Sequence, residues 1–307
     1  MLESRRLRQF LTVYELGSIG QASEKLLLTQ PALSKSVRLL EDSLGVKLFE
    51  RTTLGVVPTV FGKALAMHAK AIEAQVRHAE AQIASLQGNT QGQVSVGIGP
   101  SMATALMPLA TLRIQERQLG IELSVVEGLV DELIPALRRG EIDLAIGGWP
   151  KVADPAFLTE VLAQDRVQVF ARAAHPLAGR AIEVTELLDH PWALPPSSQR
   201  WRQKFDEFFF AQGLSAPKPA VVSNSAMYLK ALMQKGDYLS FLPAQLAAEA
   251  DLLVPIDVFP SEITIDISLT YKNRTLSNPA CLEVAEILRD VAIEVTSPRE
   301  PALTRAA

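Results

Sequence analysis

Residues 18–51 read SIGQASEKLLLTQPALSKSVRLLEDSLGVKLFER, and their spacing predicts two short helices joined by a tight turn. Ser18 and Gln21 fit an S-x-x-Q capping box, which satisfies the amides left unpartnered where a helix begins. Ala22, Leu26 and Leu27 then recur at helical spacing. Thr29 or Gln30 can cap the second helix, with Pro31 in its first turn, where a missing N–H does no harm. Leu33, Val37 and Leu40 share one stripe of that helix and Leu44 continues it. Pro31, Ser34, Lys35 and Arg38 fall on the opposite side, at about 100° per residue. Gly45 is placed to end the helix. Working outward, Leu7, Phe10, Leu11 and Tyr14 mark a preceding amphipathic helix able to cover the pair. Downstream, Val46 to Glu50 and Val56 to Thr59 flank Arg51-Thr52-Thr53-Leu54-Gly55, a hairpin-like wing with a turn glycine.

A helix with a polar, basic outer face beside a wing suits a DNA groove. From pattern alone, a small helical bundle with a merely solvated face is the alternative. Charge favours DNA modestly: residues 1–63 hold nine Lys/Arg against six Asp/Glu, on a chain whose net charge is −4, so the remainder is acidic.

The residues themselves carry a resemblance. Ala22, Leu26, Gln30-Pro31-Ala32-Leu33-Ser34-Lys35, Leu39-Leu40-Glu41, Leu44-Gly45, Lys47-Leu48-Phe49-Glu50-Arg51, and Thr59 with Gly62 resemble, in order and spacing, the N-terminal signature of LysR-type transcriptional regulators. Two positions depart from it, Gln21-Ala22 for the usual Ala-Ala and Pro58-Thr59 for the usual Leu-Thr. Neither touches the expected reading face, which comprises Gln30, Pro31, Ser34, Lys35 and Arg38. Among these, Gln30, Ser34 and Arg38 are expected at base edges, and Arg51, Thr52 and Thr53 of the wing at phosphates.

A chain of 307 residues is long enough for about two domains. The expected architecture is α/β and multi-domain: a winged helix-turn-helix over 1–62, a long linker helix over 63–89, and an effector domain over 90–307. From Lys63 to Gln87 no Pro or Gly interrupts the chain. Leu65, Ala69, Ile72, Val76, Ala79, Ile83 and Leu86 alternate spacings of four and three, the seam of a coiled-coil dimer. A helix packed on its own domain is the alternative. The resemblance implies the same linker helix and a tetramer built from two such dimers. Gly88-Asn89-Thr90-Gln91-Gly92 then marks a boundary.

Beyond it strands and helices alternate, which predicts a largely parallel sheet. Strands are expected at Gln93 to Gly99, Ile121 to Glu127, Ile142 to Gly147, Val167 to Arg172, Trp192 to Leu194, Tyr238 to Leu242 and Ile263 to Tyr271. Met102 to Gln118, Val130 to Arg139, Ala226 to Gln234 and Pro279 to Val295 read as helices. Gly128 with Leu137, Arg139 to Ile146, and Gly236 with Leu239 to Pro243 resemble the same family's regulatory domain, which is similar to periplasmic solute-binding proteins. That implies two lobes, about 90–164 with 267–300 and about 165–266, around a ligand cleft.

Ligands of open α/β sheets lie beyond the carboxyl ends of strands. Ser101 and Met102, Ser197 and Ser198, and Asn224 meet that condition at helix starts, whose free amides attract anions. Ser101, Gly128, Leu129, Gly147, Ser198 and Asn224 lie where the family's cleft residues fall. Trp149 can stack on a ring and Phe241 can wall the cleft. Each Ser or Asn is equally a plain helix cap, and Trp149 equally a core aromatic. The expected effector is a small organic molecule carrying a carboxylate or sulfonate.

Catalytic signatures are missing from the sequence. His68, His78, His175 and His190 are scattered, with no H-E-x-x-H. Gly97-Ile98-Gly99 opens like a dinucleotide fingerprint, but Met102 takes the third glycine position. No G-x-S-x-G elbow occurs, and Cys281, the sole cysteine, sits in a helical pattern and permits no disulfide within one chain. The sequence reading is therefore a non-enzymatic regulator without cofactor or metal. Its partners would be promoter DNA, an effector, itself and, for an activator, RNA polymerase. With no apolar run near membrane length and no signal-like N-terminus, the expected location is the cytoplasm.

Overall fold

A computed structural model describes residues 4–53, 55–86, 92–248, 252–258, 263–273 and 275–296. The chain divides into two compact units, residues 1–86 with 138–141, and the remainder. The boundary expected at 88–91 and the wing residue Leu54 lie outside the described residues, as do the side chains of His78 and Leu86.

The first unit begins with α1 (Ser4–Leu16), α2 (Ile19–Lys25) and α3 (Gln30–Leu44), followed by β1 (Phe49–Thr52), β2 (Gly55–Pro58) and α4 (Val60–Leu86). Local chemistry sets the helix ends. Ser18 Oγ accepts from the Gln21 amide at 3.4 Å and Thr29 Oγ1 from the Ala32 amide at 3.4 Å. Gly45 closes α3 in the left-handed conformation, at φ 68°. Leu7, Phe10 and Leu11 of α1 meet Ala22, Leu33, Val37, Leu40, Phe49 and Val56 in one core. The long helix starts three residues before the expected Lys63, because Thr59 caps it, Oγ1 accepting from Gly62 N at 3.1 Å. Gly62 is required there: a Cβ would stand 2.2 Å from the Leu48 carbonyl oxygen.

The reading of a helix packed on its own domain describes the start of α4. Ala66 and Ala69 are buried in the head's own core, with Leu65 packed against it, whereas Ile72, Val76 and Ile83 further along the seam are exposed.

The second unit continues with β3 (Gly92–Ile98), α5 (Pro100–Ala105), α6 (Met107–Glu116), β4 (Ile121–Glu127), α7 (Val130–Arg139), β5 (Leu144–Gly148) and β6 (Phe157–Arg172). Next come β7 (Ala193–Leu194), α8 (Arg200–Ala211), β8 (Val221–Val222), α9 (Ala226–Lys235) and β9 (Ser240–Pro243). It ends with α10 (Ala244–Ala248), β10 (Leu253–Pro255), β11 (Ile263–Lys272) and α11 (Pro279–Thr296). The main sheet runs β10-β6-β11-β5-β3-β4, with β9 also on β6.

This sheet corrects the expectation of a largely parallel one. Only β3 pairs in parallel, with β4 and with β5; β11 with β5, and β6 with β11, β9 and β10, are antiparallel. The cause is β6, one 16-residue strand rather than one beginning at Val167, running unbroken beside β11. The lobe limits expected at 164/165 and 266/267 therefore fall inside continuous strands. The second of them lies one residue before a register shift at Ile267/Ser268, where Leu162 is left without an opposite residue, the mark of a β-bulge.

One backbone feature of the head is strained. Leu27, between α2 and α3, has φ 53° and is 94% exposed. A left-handed backbone costs an L-residue roughly 1–2 kcal/mol and asparagine less, and nothing in the packing repays it here. Leu27→Asn is expected to raise stability by about 0.5–1 kcal/mol, read as a higher urea midpoint; a lower midpoint would show that Leu27 is held by contacts rather than strained.

Candidate nucleic-acid interface and effector cleft

In the head, Gln30, Pro31, Lys35 and Arg38 are exposed along α3 and Ser34 is half-buried. Arg51, Thr52 and Thr53 are exposed on the wing, where Thr52 Oγ1 donates to the Gly55 carbonyl at 3.3 Å. All eight expected DNA residues thus lie on α3 or the adjoining wing. Between the two runs a groove of about 300 Å³, with Ser34, Arg38, Lys47 and Arg51 in its lining.

Two polar ties hold α3 in place. Ser36 Oγ donates to Gln9 Oε1 of α1. The second tie, Glu41, was not assigned a role from sequence. This buried carboxylate accepts from the amides of Leu48 at 2.8 Å and Phe49 at 3.3 Å, and from Lys47 Nζ at 2.8 Å. Burial pushes its pKa up, but Lys47 and the two amides outweigh that and hold it below the usual carboxylate range. It fastens the wing's first strand to the reading helix. The available signal was an acidic residue on the edge of an apolar stripe, seven residues before the next apolar pair.

In the second unit the expected effector residues gather in two sets. The parallel strands β5, β3 and β4 end together, as Gly99 N donates to Ile146 O at 2.8 Å and Gly128 N to Ile98 O at 3.1 Å. Ser101, Gly128 and Leu129 follow those ends, and Gly147 is the penultimate residue of β5. Ser101 is buried with its Oγ unpartnered, and the Leu129 amide donates to Glu132 Oε2 at 3.0 Å. The other set follows the parallel pair β7 and β8, where Ser223 N donates to Leu194 O at 3.1 Å. Ser197, Ser198 and Asn224 are exposed there. Beside them Gln199, which the sequence reading passed over, stands at the N-cap of α8, buried, with its Nε2 unpartnered.

Three expected cleft residues belong to the core instead. Met102 is fully buried in the main cluster, and Phe241 stacks among aromatics, 5.6 Å from the Phe205 ring. Trp149 packs with Leu133, Leu137 and Phe157, and its Nε1 donates to Thr270 Oγ1 at 3.1 Å. Its ring also explains Gly147, because a Cβ there would sit 2.2 Å from Trp149 Cζ3. Their surfaces are consumed by packing, so none offers a face to a ligand in this arrangement.

Asp165 is a further missed residue. It is buried in mid-β6, with Oδ2 unpartnered. Burial raises its pKa to about 7, although the backbone amides of Gln245, Arg166 and Ala244 and the charge of Arg166 pull the other way.

A head of this geometry joined to a two-lobed α/β unit defines a class: DNA-binding proteins carrying a small-molecule sensor. Comparison with known proteins narrows it. Residues 4–63 match the model of the bacterial regulatory helix-turn-helix protein, lysR family, and residues 87–293 the LysR substrate binding domain. The nitrogen assimilation regulatory protein nac of Escherichia coli is 30% identical, over 94% of each chain. The HTH-type transcriptional regulator GalR of Pseudomonas putida is 28% identical, over 96% of this chain and 75% of its own. CbnR, a LysR family transcriptional regulator, shares the fold at a TM-score of 0.74 and 21% identity, covering 95% of this chain and 99% of its own. The chain belongs to the LysR family: it is a DNA-binding transcriptional regulator with an effector-binding substrate domain.

Two substitutions test the buried carboxylates. Glu41→Gln can keep the one oxygen that both amides share but turns the other into a donor facing the Lys47 ammonium, and should cost about 1–3 kcal/mol at neutral pH. Because the folded pKa is depressed, the carboxylate's contribution is present above about pH 4.3 and lost as pH falls through the folded value. The gap between wild type and variant in urea unfolding should therefore narrow below pH 4; a gap constant with pH would show that the charge contributes nothing. Asp165 has the opposite sign. Between about pH 3.9 and about 7 the native state holds a proton that the unfolded chain has released, so stability falls as pH rises through that window. Asp165→Asn should flatten this slope, and an unaltered slope would assign it to other groups.

Proposed function

We propose that a small anionic molecule, carrying a carboxylate or sulfonate, binds between the lobes and controls how this regulator engages promoter DNA. The observation that carries the reading is a pair of buried, unpartnered polar atoms, Ser101 Oγ and Gln199 Nε2. Each lies at the start of a helix that follows a parallel strand. Leaving such atoms unsatisfied costs roughly 1–3 kcal/mol each, a cost that a ligand oxygen can relieve. Free amides at the start of α8 add attraction for negative charge.

On this reading Gln30 and Ser34 meet base edges, and Arg51, Thr52 and Thr53 of the wing meet phosphates. Two heads are needed to read two half-sites about one DNA turn apart, or a multiple of it. The exposed Ile72, Val76 and Ile83 of α4 supply an apolar seam for a second copy, and two such dimers make a tetramer. RNA polymerase is a partner if the outcome is activation. The protein would work in the cytoplasm, where its promoter is, without a cofactor and without catalysing a reaction. Among the described residues no helix is long and apolar enough to cross a membrane, and no group of His, Cys, Asp and Glu could hold a metal ion.

Effector binding biases the oligomer only through unequal affinity for its two arrangements. A thermal-shift screen should show stabilisation by small carboxylates or sulfonates and none by their neutral amides. A gain is expected to vanish in Gln199→Leu. Stabilisation by neutral compounds alone would overturn the anion assignment. Ile72→Asp should shift the sedimentation coefficient towards that of a smaller assembly, and an unchanged value would remove α4 from the interface.

A further inference from the structure

The groove between α3 and the wing holds two cations that make no ion pair among the described residues. Arg38 projects from α3 and Arg51 from β1, and both line the same groove of about 300 Å³. A third cation of the lining, Lys47, is already bound to Glu41. Glu41, the acidic group beneath, is spent as well, since its oxygens accept from two amides and that ammonium. With this pair neutralised, the groove presents the two guanidinium charges and the Ser34 hydroxyl.

Position along the helix sets Arg38 apart from the base-reading residues. At about 100° per residue, Ser34 and Arg38 fall on the flank of α3 that also carries Glu41 and so faces the wing, while Lys35 lies further round. Arg38 also stands two turns beyond the helix start, whereas the first residues of a recognition helix reach base edges. The expectation that Arg38 reads a base is therefore not what its position favours.

We propose that this groove is a phosphate seat, in which Arg38 and Arg51 clamp one phosphodiester of the DNA backbone from two sides. Planar guanidinium groups suit phosphate oxygens because each can donate two parallel hydrogen bonds. Glu41 acts as a positioning residue, fixing the wing and hence the separation of the two arginines. The seat sets the register of the helix on the duplex and carries no sequence information itself.

The proposal rests on the reading that the head binds duplex DNA, and one experiment separates the two. The full-length protein selects a duplex from a random pool, and its affinity for that duplex and for unselected DNA is followed against salt. Arg38→Gln should weaken both about equally and lower the salt slope by about one, and Arg51→Gln should do the same. Because one phosphate is shared, the double variant should lower the slope by about one, not two. A methylphosphonate scan should then find one position whose neutralisation weakens wild type but neither variant. Arg38→Lys and Arg51→Lys, which retain the charge, should keep the wild-type slope. A fall of about two in the double variant would assign the arginines to separate phosphates and overturn the seat. A loss in Arg38→Gln confined to the selected duplex, at unchanged slope, would make Arg38 a base contact and overturn it too. If wild type retains no duplex at all, the DNA reading itself fails.

Discussion

The ladder between β6 and β11 is the constraint on which the sensor depends. These two strands are hydrogen-bonded from Ile263 opposite Val167 to Lys272 opposite Phe157, and they run through both lobes. Every other strand of the main sheet joins one of these two or reaches them through β5. Each lobe therefore inherits its position from a shared backbone rather than from a flexible connector. Side-chain ties reinforce the ladder: Thr159 and Thr270 hydroxyls lie 3.2 Å apart, and Arg289 of α11 grips Glu160 in a bidentate pair at 2.8 and 2.9 Å.

The head obeys a different economy. Its helices are short, and isolated helices of their length are marginal in water, so order comes from burial around Phe10, Leu33, Leu40 and Leu48. A wing of two four-residue strands has little core of its own. It borrows rigidity from α3 through Glu41 and from the start of α4 through Thr59, whose hydroxyl also donates to the Lys47 carbonyl at 2.7 Å. Carboxylate and hydroxyl thus convert a weak hairpin into a fixed arm beside the reading helix.

Local features were the legible ones. The stripe Leu33, Val37 and Leu40, the cap Thr29, the stop at Gly45 and the strand ends bearing Ser101 and Gly128 depend on short-range patterning, and the helices and strand edges follow it. What was not legible depends on partners far along the chain. Gln164, Asp165 and Arg166 precede the strand expected from Val167, and three polar residues in succession carry no alternation; in the fold they sit in the middle of β6. Met102, Trp149 and Phe241 have the chemistry of ligand-facing residues, but only tertiary packing reveals Met102 within the main core, Phe205 beside Phe241, and Leu133 and Thr270 against Trp149. Glu41 and Gln199 escaped assignment for the same reason: a buried polar atom is recognised by what surrounds it, not by its spacing.

The bulge opposite Ile267/Ser268 also has a bearing on how such chains can change. Inward and outward faces alternate strictly along a strand, so one inserted or deleted residue ordinarily inverts everything beyond it. Leu162, having no opposite number in the ladder, absorbs that count between the lobes. The ladder on either side of Leu162 thus keeps its own register against β11, and the alternation of faces changes phase at that one residue.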